Sequence, residues 1–176
     1  MYEDELKQSI REIPDFPKKG ILFYDLSTLF LNGRTFALAV DLMAHRHLNK
    51  RIDGVMCIES RGFMLGSAIA YRLGTGVVMA RKQGKLPWKT IGGRYKLEYG
   101  SDIIEIHADA IKKGQHILLV DDLLATGGTA ATAVKLIERL GGKVVECLFL
   151  VELTGLKGRE KLKGYKVHSI LQYEGE

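Results

Sequence analysis

Two adjacent carboxylates and a run of small, hydroxyl-bearing residues lie close together near position 120. Asp121 and Asp122 follow four apolar residues, and the sequence Thr-Gly-Gly-Thr occupies positions 126–129. Carboxylates accept hydrogen bonds from hydroxyl groups, whereas the free N–H groups of a glycine-bearing loop and of a first helical turn bind anions. The residue types therefore suit a ligand that carries both vicinal hydroxyls and a phosphate, with added donors from Thr126 and Thr129.

The residues on either side of this stretch predict the elements that hold it. Ile117–Val120 is a short apolar run, which predicts a buried strand. After Thr129 the apolar residues recur at helical spacing, and Gly141 and Gly142 then end the pattern. We therefore predict a buried strand, a glycine-bearing loop and the N-terminus of a helix.

Other interpretations of the same stretch fit the sequence less well. A P-loop requires GxxxxGK[ST], which the sequence lacks, and a Walker-B strand ending in two acids would need that P-loop as its partner. The dinucleotide fingerprint GxGxxG is also missing, because Gly74-Thr75-Gly76 is too short to form it. A strand whose acids only cap the next helix would need one acid rather than two acids followed by Thr-Gly-Gly-Thr.

Arg61 is a second candidate for binding an anion. The apolar run Gly54–Ile58 predicts another buried strand, and Glu59, Ser60 and Arg61 follow it directly. Arginine at the start of a helix opposes the helix dipole, so its presence there favours a functional role over a solvent-facing charge. We expect Arg61 to contact a pyrophosphate group.

Residues 82–94, KQGKLPWKTIGGR, show neither a helical nor a strand period. They combine three glycines, one proline and one tryptophan with several cationic side chains. Long loops without secondary structure in compact domains are commonly lids or disordered segments, and cations between glycine hinges suit a lid over a polyphosphate. The alternative is a loop that contacts nucleic acid.

Strands alternate with helices along the chain. The predicted strands are Gly54–Ile58, Val77–Arg81, Ile117–Val120, Val144–Val151 and Val167–Leu171. The predicted helices are Tyr2–Glu12, Asn32–Lys50, the segment opened by Arg61, the segment after Thr129, and Lys157–Lys163. We also predict a loop at Pro14–Gly20 and a hairpin formed by Tyr95–Gly100 and Ile103–Ala108. This order predicts an α/β fold, with a mostly parallel twisted sheet and helices on both faces. Three strands end in acids, and ligands bind at the carboxyl ends of such sheets.

Composition limits the class of protein. The 176 residues suit one domain, residues 1–176, and the net charge of +5 suits an anionic small substrate as well as it suits nucleic acid. Cys57 and Cys147 lie in apolar runs, which predicts buried free thiols in a reducing compartment, the cytoplasm. The acidic N-terminus is unlike a signal peptide, and no run reaches the roughly 18 apolar residues of a membrane span.

Several motifs resemble a known family. VDDLLATGGT at 120–129 resembles the ribose-phosphate signature of the type I phosphoribosyltransferases. IPDFPKKGILFYDL, ESRGF, RKQGKLP, YKLEYG and VELTGLKGREKL resemble, in order and in spacing, the adenine phosphoribosyltransferases of that family. The resemblance spans Ile13 to about Leu162, and GKLP together with LEYG is more specific than the phosphate loop alone.

The resemblance implies a reaction of purine salvage, in which adenine and 5-phosphoribosyl 1-pyrophosphate give AMP and pyrophosphate. It also implies Mg2+ held mainly through the substrate, and it assigns catalytic roles to Glu98, Asp121 and Asp122. The substrate contacts that it implies are Leu22, Phe23, Tyr24, Arg61, Arg81, Lys82, Lys85, Tyr99, Asp121, Asp122, Leu123, Leu124, Ala125, Thr126, Gly127, Gly128 and Thr129, with no metal ligand among the side chains.

The resemblance further divides the chain by role. Residues 1–33 would form a hood that binds the base, with Phe23 and Leu123 as apolar faces, and residues 82–100 would form the lid. Several members of the family carry a basic residue where this chain has Tyr24, so no role of that side chain carries over. The resemblance also implies a homodimer, in which Arg81 or Lys82 reaches the pyrophosphate site of the neighbouring subunit. It implies no partner among nucleic acids or membranes.

Two other functions stay open at the level of sequence. The first is a non-catalytic regulator that senses the sugar phosphate, although such a protein would need an added DNA-binding arm beyond this catalytic core. The second is a phosphoribosyltransferase for another purine, such as xanthine or hypoxanthine, against which only the resemblance of the GILF and lid segments argues.

Overall fold

A seven-stranded β-sheet is the centre of the computed structural model, which describes residues 2–96 and 101–174. The strands are β1 Arg11–Pro14, β2 Leu22–Asp25, β3 Gly54–Ile58, β4 Gly76–Lys82, β5 Thr90–Lys96, β6 Ser101–His107, β7 His116–Leu124, β8 Lys143–Leu153 and β9 Val167–Tyr173. The helices are α1 Tyr2–Ser9, α2 Ser27–Leu31, α3 Gly33–His45, α4 Gly62–Leu73 and α5 Gly128–Arg139, with 3-10 turns at Thr154–Leu156 and Gly158–Leu162.

The sheet is mostly parallel, as the alternation of elements predicts. Its strand order is β5-β6-β4-β3-β7-β8-β9, and β4, β3, β7, β8 and β9 pair in parallel. Only the edge hairpin of β5 and β6 is antiparallel, and it joins β4 through Arg81 and Lys82. Strands β1 and β2 form a separate two-stranded antiparallel sheet within the proposed hood.

Helices cover both faces of the sheet, because alternate side chains of each central strand point to opposite sides. Leu118 and Val120 of β7 pack with residues of α1 to α4 in one apolar cluster. Ile117 and Leu119 pack with α5 and the 3-10 turn at Gly158–Leu162 in the other. The carboxyl ends of the central strands are thereby held between two packed layers.

The helix boundaries have local causes. The side chain of Asn32 caps α3 by accepting hydrogen bonds from the N–H groups of Arg34 and Thr35, at 3.0 and 3.3 Å. Gly74 ends α4 with a φ of +65°, a conformation that glycine adopts at little cost. The helix predicted for Asn32–Lys50 therefore begins after its cap, and it ends earlier, at His45.

The N-terminal segment differs from its prediction. The helix predicted for Tyr2–Glu12 ends at Ser9, because Arg11–Pro14 pairs with Leu22–Asp25 as a strand. Helix α2 was not predicted, since five residues are too few to show a helical period. Both errors concern short elements that are fixed by their neighbours rather than by local pattern.

The absence of structure predicted for residues 82–94 is wrong in part. Lys82 ends β4, residues 83–89 connect, and Thr90–Lys96 is strand β5, paired with β6 along its length. Gly92 and Gly93 conceal the alternation of this strand. A Cβ at Gly93 would lie 2.5 Å from Thr132 Cγ2, so the strand needs glycine where it approaches α5. The predicted hairpin has its turn at Gly100–Asp102, which is wrong for Ser101 and Asp102, because both lie in β6 and pair with Lys96 and Tyr95 of β5. Residues 97–100 lie outside the described residues.

Two further predictions concern the cysteines and the membrane. Cys57 and Cys147 are buried free thiols, as predicted, and burial raises the pKa of each to about 12. Within residues 2–96 and 101–174, none of the helices has the length and apolar character needed to cross a membrane.

Candidate active site

The aspartate pair lies inside β7 rather than after it. The predicted strand ended at Val120, but β7 continues to Leu124 because it pairs with β8 as far as Glu152. Val120 and Leu123 both contact the first apolar cluster, whereas Leu119 and Leu124 belong to the second. Side chains of β7 therefore stop alternating strictly between the two faces of the sheet at Asp121 and Asp122, and the pattern is shifted by one residue beyond them.

Asp121 is held at the start of α4. Its Oδ1 accepts a hydrogen bond from the N–H of Asp122 at 2.9 Å, and a Cβ added at Gly62 would lie 2.7 Å from the same oxygen. Glycine at position 62 thus lets the helix start approach the carboxylate. Burial raises the pKa of Asp121 well above its ordinary value, and the charge of Asp122 adds to the rise. A ligand that donates hydrogen bonds here would favour the ionised form.

Asp122 forms an ion pair with Arg61. The Asp122 side chain is almost fully buried, and its Oδ2 lies 2.5 Å from Nε of Arg61, which occupies the N-cap of α4. This contact joins the end of β3 to the end of β7. It places a cation beside the two carboxylates. A ligand at the carboxyl ends of these strands would therefore meet both positive and negative side chains.

Glu59 organises the cations at the end of β4. Its Oε2 accepts hydrogen bonds from Arg81 Nε at 3.1 Å and from the N–H of Lys82 at 3.0 Å. Nη1 of Arg81 also donates to the carbonyl oxygen of Lys85 at 3.1 Å, and Lys82 Nζ lies 3.4 Å from Asp102 Oδ2. Glu59 was not among the predicted site residues, although an acid at a strand end was the signal that could have identified it.

The glycine-bearing loop, for which we predict an anion site, ends in a glycine at the N-cap of α5. Ala125 to Gly127 connect β7 to α5, and Gly127 occupies the N-cap of α5 with a φ of +74°. Because glycine has no side chain to accept hydrogen bonds from the first helical turn, those N–H groups remain available for an anion. Thr126 is exposed, and Thr129 lies in the first turn of the helix.

A second glycine, Gly158, contacts the backbone of this loop. A Cβ at Gly127 would overlap the carbonyl oxygen of Gly158, and a Cβ at Gly158 would overlap the carbonyl oxygen of Ala125. The two backbones are therefore in direct contact. Gly158 was missed by the sequence reasoning, since it lies about thirty residues further along the chain and its spacing carries no local signal.

The side chains of β2, the strand proposed to bind the base, differ in burial. Leu22 and Phe23 are half-buried, whereas Tyr24 is buried with its ring centroid 4.0 Å from that of Tyr173. Burial, together with the charge of Glu12, raises the pKa of the Tyr24 phenol. The Tyr24 side chain is thus part of the apolar packing of the hood.

Asp25 is the acid at the end of β2. Hydrogen bonds from Ser27 lower the pKa of Asp25, and the charges of Arg11 and Arg61 contribute to the same shift. Leu22 and Leu123 contact the same apolar cluster.

Tyr95 of the edge hairpin lines a cavity with Gly128 and Thr132 of α5. This buried tyrosine has its hydroxyl 3.4 Å from Asp102 Oδ2, and the nearby Thr129 side chain lowers its pKa while other causes raise it. Burial is the largest cause of the raised pKa of Tyr95. Glu98 and Tyr99 lie outside the described residues.

Comparison with known proteins identifies the family. Residues 28–175 match the sequence model of the phosphoribosyl transferase domain. The chain belongs to the phosphoribosyl transferase family. The resemblance drawn from the motifs is therefore confirmed, and so is the fold that it implied.

The relatives of this phosphoribosyl transferase cover nearly its whole length. An adenine phosphoribosyltransferase of Geobacter metallireducens is 55% identical over 170 residues, which are 97% of this chain and 99% of the relative. The crystal structure of adenine phosphoribosyltransferase from Thermoanaerobacter pseudethanolicus has a TM-score of 0.92 at 48% identity, covering 97% of this chain and 99% of that one. The Saccharomyces cerevisiae enzyme, complexed with D-2,5-dideoxy-2,5-imino-altritol 1,6-bisphosphate and adenine, has a TM-score of 0.91 at 41% identity, covering 97% and 98%.

Proposed function

We propose that this phosphoribosyl transferase is an adenine phosphoribosyltransferase, which converts adenine and 5-phosphoribosyl 1-pyrophosphate to AMP and pyrophosphate. The observation that carries the proposal is the grouping, at one edge of the sheet, of the aspartate pair, the glycine-bearing loop and the cations Arg61 and Arg81. The yeast relative holds adenine together with a bisphosphate, which is consistent with a base site beside a phosphate site.

The aspartates suit the sugar. A nitrogen of adenine forms a bond to the anomeric carbon while the bond from that carbon to pyrophosphate breaks, and the electron pair of that bond leaves with the pyrophosphate. Positive charge develops on the ribose in a loose transition state, so preorganised negative charge beside it lowers the barrier. Asp121 and Asp122 accept the ribose hydroxyls and supply that charge. Glu98 takes the proton that the adenine nitrogen loses.

The cations suit the leaving group. Arg61, Arg81, Lys82 and Lys85 bind the pyrophosphate and stabilise the negative charge that it gains. Glu59 supports this assignment because its carboxylate fixes both Arg81 and the backbone of Lys82. Lys85 is exposed in the connecting residues 83–89, where its ammonium group can approach an anion.

The loop suits the 5′-phosphate. N–H groups between Ala125 and Thr129, with the hydroxyls of Thr126 and Thr129, donate to its oxygens. Leu123 and Leu124 precede the loop, and Leu124 is buried, so its contact with a ligand comes from the backbone.

The base lies between the hood and β7. Phe23 and Leu123 provide apolar faces, Leu22 contributes backbone groups, and Tyr99 is a further substrate contact. Tyr24 takes part through its backbone, because its ring is packed against Tyr173.

Mg2+ takes part in the reaction, held mainly through substrate oxygens and water, since this ion keeps several of its waters. In the part of the chain that the structure describes, residues 2–96 and 101–174, no three His, Cys, Asp or Glu side chains are grouped to hold a metal ion. The carboxylates of Asp121 and Asp122 are the side chains that would face the substrate-bound ion. When bound, it neutralises charge on the pyrophosphate.

A homodimer is supported by an exposed apolar patch, the α4–β4 patch. Met64 and Tyr71 of α4 and Val77 and Met79 of β4 are 44%, 86%, 42% and 45% exposed, and α4 packs against β4. Contiguous exposed apolar surface marks an interaction site, and a second copy of the same patch would cover it. Arg81 follows on the same face of β4 as Val77 and Met79, which places it at the edge of this interface.

The dimer is tested by sedimentation. Tyr71→Glu and Met79→Glu should shift the protein from dimer to monomer, because a charge would be buried in the interface. Leu31→Glu is the matched control, since Leu31 is 87% exposed on α2, outside the α4–β4 patch. Unchanged sedimentation in both patch variants would exclude this interface.

The cytoplasm is the compartment that we infer. Buried free Cys57 and Cys147 support it, because free thiols persist in reducing surroundings.

A substrate screen tests the proposed activity directly. Adenine, hypoxanthine, guanine, xanthine and orotate are each offered with 5-phosphoribosyl 1-pyrophosphate and Mg2+, and pyrophosphate release is measured. We expect adenine to react much faster than the other four bases. A faster reaction with another purine would assign the site to that base, and no release with any base would contradict a transferase function.

A further inference from the structure

An ion pair with a buried carboxylate and a half-exposed guanidinium joins β8 to the 3-10 turn at Gly158–Leu162, beside the loop of Ala125–Thr129. Arg159 donates from Nε to Glu152 Oε1 at 2.6 Å and from Nη2 to Glu152 Oε2 at 2.7 Å. The Glu152 side chain is almost fully buried, and the hydroxyl of Ser169 donates to its Oε2 at 2.6 Å. Nη1 of Arg159 also donates to the carbonyl oxygen of Val167 at 2.8 Å. Every arm of the guanidinium is thus used.

The charge on Glu152 is stabilised in place. Burial by itself would raise the pKa of this carboxyl group, but the hydrogen bonds from Arg159 and Ser169 outweigh it and hold the pKa below its ordinary value. Two-point pairing of arginine with a carboxylate fixes orientation as well as distance. The pair therefore fixes where the 3-10 turn begins relative to β8 and β9.

That turn begins at Gly158, the residue in contact with the phosphate loop. A Cβ on Gly158 would overlap the carbonyl oxygen of Ala125 and would lie 3.1 Å from the backbone nitrogen of Gly127. Lys157, just before it, has a left-handed backbone with a φ of +52°. The turn thus has a specific backbone shape and lies in contact with the backbone of the loop at Ala125 and Gly127.

We propose that Glu152 and Arg159 are positioning residues for the 5′-phosphate site, acting through Gly158 on the loop of Ala125–Thr129. The inference rests on the proposed phosphate-binding role of that loop. Preorganised donors are effective only when they are held to within a fraction of an ångström, and a displacement of about 1 Å can cost on the order of 10²-fold in rate. Glu152 lies near the carboxyl end of β8, where ligands bind in such sheets. Its role in this proposal is to hold the loop in place, and it does not contact the substrate.

Two variants test the pair in different ways. Arg159→Lys keeps the charge but loses the two-point contact, whereas Gly158→Ala keeps the pair and pushes a methyl group against the loop. Arg34→Lys is the control for the first, because Arg34 also contacts one carboxylate, Glu5, through two nitrogens on an exposed surface. Gly33→Ala is the control for the second, since nothing lies within 4 Å of its added Cβ.

The measurement compares ligands with and without a 5′-phosphate. AMP and ribose 5-phosphate should bind about tenfold or more weakly to both variants, while adenosine and inorganic pyrophosphate should bind as they do to the unmodified protein. In steady state, KM for the sugar pyrophosphate should rise while KM for adenine stays unchanged. Both control variants should retain all four affinities.

Each other outcome is informative. Equal weakening of all four ligands, or unchanged binding of AMP in both variants, would overturn the positioning role. If Arg159→Lys does not fold, as judged by thermal unfolding, Ser169→Ala takes its place, because it removes the hydrogen bond that Ser169 donates to Glu152 and keeps the arginine; unchanged AMP binding in that variant would overturn the role of the pair. Thr126→Val and Thr129→Val separate the two hypotheses: if these loop variants weaken AMP binding and the Gly158 and Arg159 variants do not, only the positioning role falls. If the loop variants also leave AMP binding unchanged, the loop is not the phosphate site.

Discussion

Asp121 and Asp122 are neighbours in sequence, but their surroundings differ. Asp122 is compensated by Arg61, whereas Asp121 faces Gly62 and carries a raised pKa that burial causes. The sequence shows the two adjacent carboxylates but does not predict this difference in their surroundings. It depends on how α4 approaches β7, which joins segments sixty residues apart.

Removing charge from either aspartate should slow the reaction. Asp121→Asn and Asp122→Asn keep the shape of the side chain, and we expect a loss of roughly 10²-fold or more in turnover, the scale of one preorganised electrostatic group. Initial rates of AMP formation at saturating substrates measure it. Asp109→Asn, at an exposed carboxylate in the turn after β6, should leave turnover unchanged. Ordinary turnover in both site variants would remove the aspartates from the mechanism.

The raised pKa of Asp121 also predicts an effect on stability. A carboxyl group with a higher pKa in the folded than in the unfolded protein stabilises the fold below its unfolded pKa, and this contribution is lost as the pH rises through the folded pKa. Asp121→Asn should therefore unfold at a higher temperature than the unmodified protein near neutral pH. The difference should shrink towards the ordinary aspartate pKa of 3.8. A melting temperature lower than that of the unmodified protein at neutral pH would contradict the direction of the shift.

The individual elements show which parts of the fold sequence pattern can predict. The strands β3, β7, β8 and β9 were found because buried parallel strands are apolar runs. Strand β5 was missed because its glycines serve the contact with α5, which is a tertiary requirement. The site follows the same division: the aspartates and the loop have a local motif, whereas Glu59, Tyr95 and Gly158 act through contacts across the fold.

The contact between β5 and α5 can be tested by filling it. Gly93→Ala would bring a Cβ to 2.5 Å from Thr132 Cγ2, and overpacking of this kind destabilises by about 1–3 kcal/mol. Thr132→Ser removes that methyl group, so the double variant should recover most of the loss. Urea unfolding of the single and double variants gives the coupling energy. Additive losses would mean that Gly93 is required for another reason.

The proposed lid, residues 82–100, makes a prediction about exchange and rate. The amides of Trp88 and Lys89, two exposed residues in the connecting segment 83–89, should exchange quickly in the free protein and more slowly with sugar pyrophosphate and Mg2+, because the cations of this segment favour closure only when the anion is bound. Amides of α3 serve as the internal control. Glu98→Gln should lower turnover but leave sugar pyrophosphate binding unchanged. Equal protection with and without ligand would exclude closure.

The assembled molecule raises the question of whether one chain makes a complete site. Arg81 contacts Glu59 of its own chain, yet it lies on the same face of β4 as the exposed Val77 and Met79. Its guanidinium can therefore serve its own site or, across the α4–β4 patch, that of a second copy. Sequence alone could not separate these alternatives, since both place the same residue beside pyrophosphate.

Mixed dimers distinguish the two arrangements. Arg81→Ala and Asp122→Asn proteins are each expected to be nearly inactive, and they are mixed in equal amounts so that subunits exchange. If Arg81 acts across the dimer, a hybrid contains one site with both residues intact, and random exchange restores roughly a quarter of all sites. Recovery of activity should then follow the rate of exchange, measured with a fluorescent label on each chain. Complete exchange without recovery would show that Arg81 and Asp122 act in the same chain, and the interface would support the site without completing it.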